Sequence, residues 1–404
     1  MNIRTVVSIV FAVAALSVFA VAEISNLEVT PGSGGKVTVS YSLTQDAVVT
    51  PRFYAGGRWL AGNEVVLLTG DICCKVSATT GEARRRFVWN AKREADIDLD
   101  KTTAHSDAKV ELTVWSLNTP PDYMVVDLQS ENRDIVRYYA TSNDVPGGVL
   151  DAEYKLCKLV LRKIPARAAI YVMGSTRRAN EIPHTVAFSE DFYLGIYPVT
   201  QSQSQLAFGR SVRNVDRFGQ GDDAPYRPTC GYGWNNYRGS TATPTDAPAP
   251  GSWFDSLRSA TGVDFDVPTE AQWEFACRAR SETAYYCGDA AMAKQNCWYT
   301  DNTTSEIDEL QYTQPVGQFP PNAFGLYDMI GNVCEMCLDY AGDYPSSGVT
   351  LDQLNVVVGS NIAYRGGAYN CIIDQCRSAY RHAEPLDTSS YVAGLRLSCP
   401  AVAK

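Results

Sequence analysis

Histidine is almost missing. The chain has three, His105, His184 and His382, scattered and never four apart, so a histidine-based iron or zinc centre is not expected. Positive charge is also in short supply. A net charge of −10 and a pI near 4.9 argue against nucleic acid and anionic membranes as partners. Beyond Ala22 no apolar run is long enough to span a bilayer, and no lipidation signal stands at the C-terminus. What is plentiful is tyrosine, glycine and proline, with 23, 30 and 20 residues. They point to turns and aromatic packing rather than long helices. Hydrophobic residues make up 45% and charged ones 20%, enough to build globular cores in two or three domains.

The one apolar run that does occur reads as a secretory signal peptide. Arg4 supplies the positive end, Val6–Val18 the apolar stretch, and Ala20-Val21-Ala22 a small-residue cleavage site. The mature protein is then expected to begin at Glu23, without a membrane span, and to be secreted or periplasmic. All 12 cysteines follow this segment, and an oxidising compartment favours disulfides. Adjacent Cys73 and Cys74 would take different partners. Cys334 and Cys337 form a C-x-x-C, the spacing of a zinc or dithiol motif, but without a βαβ context structural packing is the better reading.

From Glu23 to about Asn118 the pattern is β. Lys36–Ser42 alternates apolar and polar residues, and Val48–Tyr54, Glu64–Leu68, Arg85–Trp89 and Lys109–Trp115 are further short strands punctuated by Gly and Pro. Residues 23–118 are expected to form an immunoglobulin- or fibronectin-like β-sandwich with no catalytic constellation, and Asn118–Pro121 to be the boundary. Tyr123–Leu128 and Tyr154–Arg162 read as strands leading into a second domain, residues 119–404.

That second domain carries a series of motifs: YVMGS at Tyr171–Ser175, FYLGIYPVT at Phe192–Thr200, VPTEAQWEFACRAR at Val267–Arg280, NAFGLYDMIGNVCEMC at Asn322–Cys337, RGGAYNCIIDQCRSAYR at Arg365–Arg381 and AGLRL at Ala393–Leu397. Thr269 and Gln272 have capping-box spacing at a helix start, with Trp273, Phe275 and Ala276 facing a core. Gly331 and Gly325 interrupt any regular element around Asp328 and Glu335, a loop rich in hard oxygen donors. Two thiols, Cys371 and Cys376, stand between the Gly366-Gly367 pair and two arginines, Arg377 and Arg381. They suit either a redox or metal site or one disulfide beside a buried ion-pair network.

In this order the motifs resemble the formylglycine-generating enzyme, or sulfatase-modifying factor, family. The resemblance implies an α+β chain whose second domain has little regular secondary structure and is related to C-type-lectin-like folds. It also implies bound calcium, with ligands from Asp328, Gly331, Val333 and Glu335, and a second site drawing on Asn296 and the Cys297 carbonyl. In active members two cysteines bind copper as Cu(I), and oxygen then oxidises a cysteine in an unfolded sulfatase segment to formylglycine. Cys371 and Cys376 stand at those positions, and soft thiolates select Cu(I). This chain departs from the pattern at Ala368, where active members have Ser, in the apolar Ile372-Ile373 insert, and at Cys334, where they have Trp. Cys376 also runs directly into Arg-Ser-Ala-Tyr-Arg. Three readings therefore stand: a secreted member without oxidase activity that binds a protein or glycan ligand, a copper-dependent formylglycine-generating oxidase, and a different oxidoreductase on the same scaffold.

Overall fold

The computed structural model describes residues 8–11, 22–31, 36–55, 58–61, 65, 68–90, 109–130, 135–208, 223–304, 311–345, 348–357 and 359–403. It divides into two compact units. The first comprises Met1–Val125, Asn132–Asp151 and Ala401–Lys404, the second Val126–Glu131 and Ala152–Pro400. The division thus falls later than Asn118–Pro121, and the first unit takes back a segment that the sequence assigned to the second domain.

The first unit holds β1 (Ser8–Phe11), β2 (Ile24–Pro31), β3 (Lys36–Leu43), β4 (Ala47–Ala55), β5 (Arg58–Trp59), β6 (Leu68–Gly70), β7 (Lys75–Val76), β8 (Arg85–Asn90) and β9 (Lys109–Trp115). One sheet runs β1-β9-β4-β5, with β7 also on β4, and the other runs β2-β3-β8-β6. Alternation in β3 puts Val39 and Tyr41 inside. Phe53 of β4 lies 4.4 Å from the Trp89 ring and 6.4 Å from the Phe87 ring of β8, so the two sheets pack their inner faces together. Four of the five strands read from the sequence are present; Glu64–Leu68 falls mostly outside the described residues, as does the leader apart from β1 and Ala22. β10 (Tyr123–Asp127) spans the division, and β11 (Val136–Tyr139) belongs to the first unit.

In the second unit the run Tyr154–Arg162 is not one strand. It begins as a helical turn, α1 (Glu153–Leu156), closed by the Cys157 amide on the Glu153 carbonyl at 2.9 Å, and becomes β12 (Lys158–Ile164) only afterwards. β13 (Ile170–Met173), β14 (His184–Ala187) and β15 (Phe192–Gly195) follow. The short helices are α2 (Gln201–Phe208), α3 (Trp234–Arg238), α4 (Trp253–Thr261), α5 (Glu270–Arg278) and α6 (Ala290–Ala293). The chain ends in β16 (Cys334–Tyr340), β17 (Val349–Leu351), β18 (Asn361–Arg365), β19 (Arg381–Pro385), β20 (Ala393–Gly394) and β21 (Ser398–Pro400). These strands form the sheets β13-β14-β17 and β19-β18-β16-β20, and β15 lies between β12 and β21. Among the described residues the regular secondary structure is therefore mixed, mostly strands with a few short helices.

α5 is the hub. Thr269 Oγ1 accepts from the Gln272 amide at 3.1 Å, and Gln272 Oε1 accepts from the Thr269 amide at 3.0 Å, the capping box expected from the sequence. The Glu270 amide donates to Asp339 Oδ2 at 2.6 Å. At the other end Asn322 Nδ2 donates to the Ala276 and Cys277 carbonyls, so the NAFG segment satisfies the helix C-terminus. Trp273 and Ala276 are fully buried and Phe275 nearly so. Glu270 and Glu274 are buried too, and they do more than complement the helix dipole. Glu270 receives Arg381 through two hydrogen bonds of 2.6 and 2.8 Å, and Glu274 binds both Arg365 and Arg278.

A second buried pair ties β16 to the end of the chain. Arg396 donates to both oxygens of Glu335 at 2.6–3.0 Å and to the Gly195 and Tyr327 carbonyls. Removing one member of such a pair strands a charge in the interior. Arg396→Met is expected to destabilise the second unit by about 3–5 kcal/mol, whereas Arg167→Met, which breaks an exposed pair with Glu190, is expected to cost under about 1 kcal/mol. Urea denaturation followed by tryptophan fluorescence measures both.

Candidate functional site

Gly367 sets the site. Its φ is +70°, and a Cβ there would meet the Gln375 carbonyl at 2.7 Å and Cys376 Sγ at 2.8 Å. Only glycine lets the backbone pass this close to the second cysteine. The chain then turns through Ala368 and Tyr369. The Cys371 amide donates to the Ala368 carbonyl at 2.9 Å, and the Cys371 carbonyl receives the Thr300 amide at 3.0 Å. A short 3₁₀ turn, Ile373–Cys376, brings the chain back beneath the glycines.

The two predicted cysteines are neighbours in space but differ in setting. Cys371 is half-buried, its thiol 3.9 Å from Asn370 Oδ1. Cys376 is buried, its thiol 3.9 Å from the Ile372 carbonyl, with Cys297 in contact beside it. Burial pushes the Cys371 thiol up. The contact with Cys297, followed by burial, pushes Cys376 well up, and Cys371 adds to it. Cys334 is buried with its thiol donating to the Val392 carbonyl at 3.1 Å; burial raises it, and Cys371 adds to the shift. Four cysteines thus lie near one another, and three of them, Cys334, Cys371 and Cys376, favour the protonated form. Cys297 is the member that the sequence reading did not assign to this cluster, and no motif marks it.

Among the described residues the structure pairs no two cysteines in a disulfide. Cys334 and Cys337 sit on β16, where residues three apart point to opposite faces, so their spacing makes no dithiol. The ion-pair network, by contrast, is present. Arg377 donates to both oxygens of Glu181 at 2.8 and 2.9 Å and to Asp374 at 3.0 Å. Arg381 is held by Glu270 and stacks 3.9 Å over Tyr344. Both guanidinium groups therefore face carboxylates rather than the thiols. Asp374, within the insert between the cysteines, also holds Arg178 at 3.0 Å and Arg177 at 3.4 Å.

Asp328, Gly331 and Val333 lie in the tight loop that leads into β16, and Glu335 is the second residue of that strand. Gly331 has φ +75°, and a Cβ there would meet the Trp298 carbonyl at 2.2 Å. Neighbouring Asn332, which the sequence reading passed over, is buried and pairs with the Gln314 backbone through two hydrogen bonds of 3.0 Å. Both Glu335 oxygens accept from Arg396, and Oε2 also accepts from Trp273 Nε1 at 2.6 Å. Asp328 accepts from the Gly317 amide at 2.6 Å; burial raises its pKa to about 6, with Arg396 and Lys155 among the groups that oppose the shift. A divalent cation between these carboxylates would have to displace the Arg396 guanidinium, so this arrangement does not fit calcium. At the second implied site Asn296 Nδ2 donates to the Met292 carbonyl, and the Cys297 carbonyl accepts from Asn302. Among the described residues, no three His, Cys, Asp or Glu side chains converge as metal ligands.

The thiol environments give a measurable order of reactivity. In native protein at pH 7.5, iodoacetamide is expected to modify Cys371 slowly, and faster as the pH rises past 9, while Cys297, Cys334 and Cys376 stay protected. Peptide mapping by mass spectrometry reads this out, and a Cys376 as reactive as Cys371 would contradict the burial.

Residues 166–399 match the family described as sulfatase-modifying factor enzyme 1-like domain. The chain is 25% identical over 303 residues to the formylglycine-generating enzyme of Bos taurus, covering 64% of this chain and 79% of the relative. It is 30% identical over 181 residues to that of Thermomonospora curvata, covering 40% and 60%. It is also similar to the serine/threonine-protein kinase pkn1 of Chlamydia caviae, at 27% over 225 residues, 52% of this chain but only 34% of the kinase. Among solved structures, Treponema denticola variable protein 1 shares the fold with a TM-score of 0.51 and 22% identity, over 60% of this chain and 95% of that one. With the match covering more than half of its length and the Gly-Gly, cysteine and arginine motifs assembled around one site, this chain belongs to the sulfatase-modifying factor family.

Proposed function

We propose that this protein is an exported member of the family whose second unit binds a protein or glycan ligand, and that its cysteine site has diverged from oxidase chemistry. One observation carries the reading: Arg377 and Arg381 are neutralised by Glu181, Asp374 and Glu270, and the two thiols favour the protonated form, Cys371 through burial and Cys376 through its contact with Cys297 and burial. A protonated thiol is a poor ligand and a poor nucleophile. Ala368 supplies no hydroxyl beside them. In the same reading Arg396 ties the Asp328–Glu335 loop in place of calcium, and the immunoglobulin- or fibronectin-like first unit serves as a spacer or docking module.

The second reading is the copper-dependent oxidase acting on an unfolded sulfatase segment. It is favoured by the half-exposed Cys371 standing beside Cys376 at the family's positions. Bound there, Cu(I) would supply the activation of oxygen. Cys371 and Cys376 would hold it, and Tyr369 and Asn370 would flank the approaching chain.

The two readings separate in one assay. Protein reduced, loaded with Cu(I) and mixed with a C-x-P-x-R peptide in air is expected to leave the peptide mass unchanged. Loss of mass corresponding to formylglycine, abolished in both Cys371→Ser and Cys376→Ser, would establish the oxidase instead. For the loop, EDTA is expected to leave the melting temperature unmoved, and a fall that added calcium reverses would restore a calcium site.

A further inference from the structure

β13 is an edge strand. It pairs on one side with β14, in the register Ile170↔Ala187, Tyr171↔Val186, Val172↔Thr185 and Met173↔His184. On its other side, among the described residues, no strand adds to it. Met173 and Val186 point inward and are fully buried. Ile170 and Val172 point outward and are 67% and 60% exposed. The rows continue across the sheet: Ala187 pairs with Leu351 and Thr185 with Val349, both exposed. An open edge bearing aliphatic side chains is a template for another strand.

Beside that edge lies a groove of about 970 Å³, lined on one wall by Ile170, Tyr171 and Val172 and on the other by the turn from Arg278 to Ala284. The turn is held open by two consecutive left-handed residues, Ala279 at φ 44° and Arg280 at φ 76°. Most of the groove's cations are occupied: Arg278 binds Glu274, and Arg377 binds Glu181. Arg280 is not. It is exposed, and its nearest named contact is the Phe324 ring at 6.0 Å, with no carboxylate partner among the described residues. Arg177, also in the wall, reaches Asp374 only at 3.4 Å.

We propose that this edge and groove bind an extended segment of another polypeptide, added to the sheet beside β13, with aliphatic and acidic residues in alternation. An added strand lies about 4.8 Å from its neighbour and sends successive side chains to opposite faces. One set extends the Ile170 and Val172 rows. The other set reaches the groove, where carboxylates meet Arg280 and Arg177. Main-chain hydrogen bonds supply affinity and the two faces supply specificity. A second copy of this chain is disfavoured as occupant, because pairing β13 with β13 brings a second set of arginines into the same groove. The inference extends the ligand-binding reading by giving the ligand's class and place. Neither Cys371 nor Cys376 lines the groove.

The probe is a fluorescein-labelled ten-residue peptide of alternating valine and glutamate, titrated onto the full chain by fluorescence anisotropy. Saturable binding is expected, weakened at least tenfold by Arg280→Glu, at least tenfold by Ile170→Lys with Val172→Lys, and severalfold by raising salt from 50 to 300 mM. All three residues are exposed, so unchanged melting temperatures show that the variants are folded. A valine–lysine peptide is expected not to bind. No binding of the valine–glutamate peptide, equal binding of the lysine peptide, or binding indifferent to both variants overturns the proposal. So does a dimer in sedimentation velocity that the double lysine variant dissociates, since a second copy would then own the edge. Each of these outcomes leaves the copper assay untouched, so the groove and the cysteine reading fail separately.

Discussion

Arginine buried against glutamate is the constraint on which the second unit depends. Arg365, Arg377, Arg381 and Arg396 are inside, and each reaches a carboxylate far away in sequence. Arg377 and Glu181 are 196 residues apart, Arg381 and Glu270 111, Arg365 and Glu274 91, Arg396 and Glu335 61. Such pairs are not strong stabilisers against a well-packed apolar alternative, but neither partner can be lost alone. In a unit of short helices and short strands they do what long hydrogen-bonded ladders do elsewhere: they dictate which loop lies against which.

The same bookkeeping governs the cysteines. A guanidinium lowers a thiol's pKa only if its charge is not already answered. Here Glu181 and Asp374 answer Arg377, and Glu270 answers Arg381, so burial decides the protonation of Cys371, and the contact with Cys297 together with burial that of Cys376. The Gly366-Gly367 turn brings the two thiols together, and the ion pairs beneath it keep them quiet. Asp374 stands between the two roles, since it belongs to the insert separating the cysteines and also holds Arg177 and Arg178.

Arg280 is the exception that gives the surface a direction. On a chain of net charge −10 it is an exposed cation in a left-handed turn without an acid partner among the described residues, facing an edge strand with aliphatic side chains. Open edges are normally blunted by charge, proline or cover. At β13 the side chains facing solvent are aliphatic, and the charge sits across the groove, where a partner strand would meet it.

Much of this could be read from the residues in order. Alternation in Lys36–Ser42 and the turn residues around it depend on neighbours only, so the strands of the first unit were legible. The Thr269–Gln272 cap and the inward Trp273 were as well, because helix entry is local. The motif series carried the family, since six short patterns in fixed order leave little freedom. What could not be read was anything requiring two distant segments to meet. The pairing of Glu270 with Arg381, and of Glu335 with Arg396 from the segment between β20 and β21, joins stretches far apart in the chain. The cysteines suggested disulfides because their number and compartment are sequence properties. Whether two sulfurs face each other is not, and on β16 the strand's own alternation turns Cys334 away from Cys337. Cys297 reached Cys376 with no motif to announce it, and the groove beside β13 arises from strand order and register, which no single stretch of the chain contains.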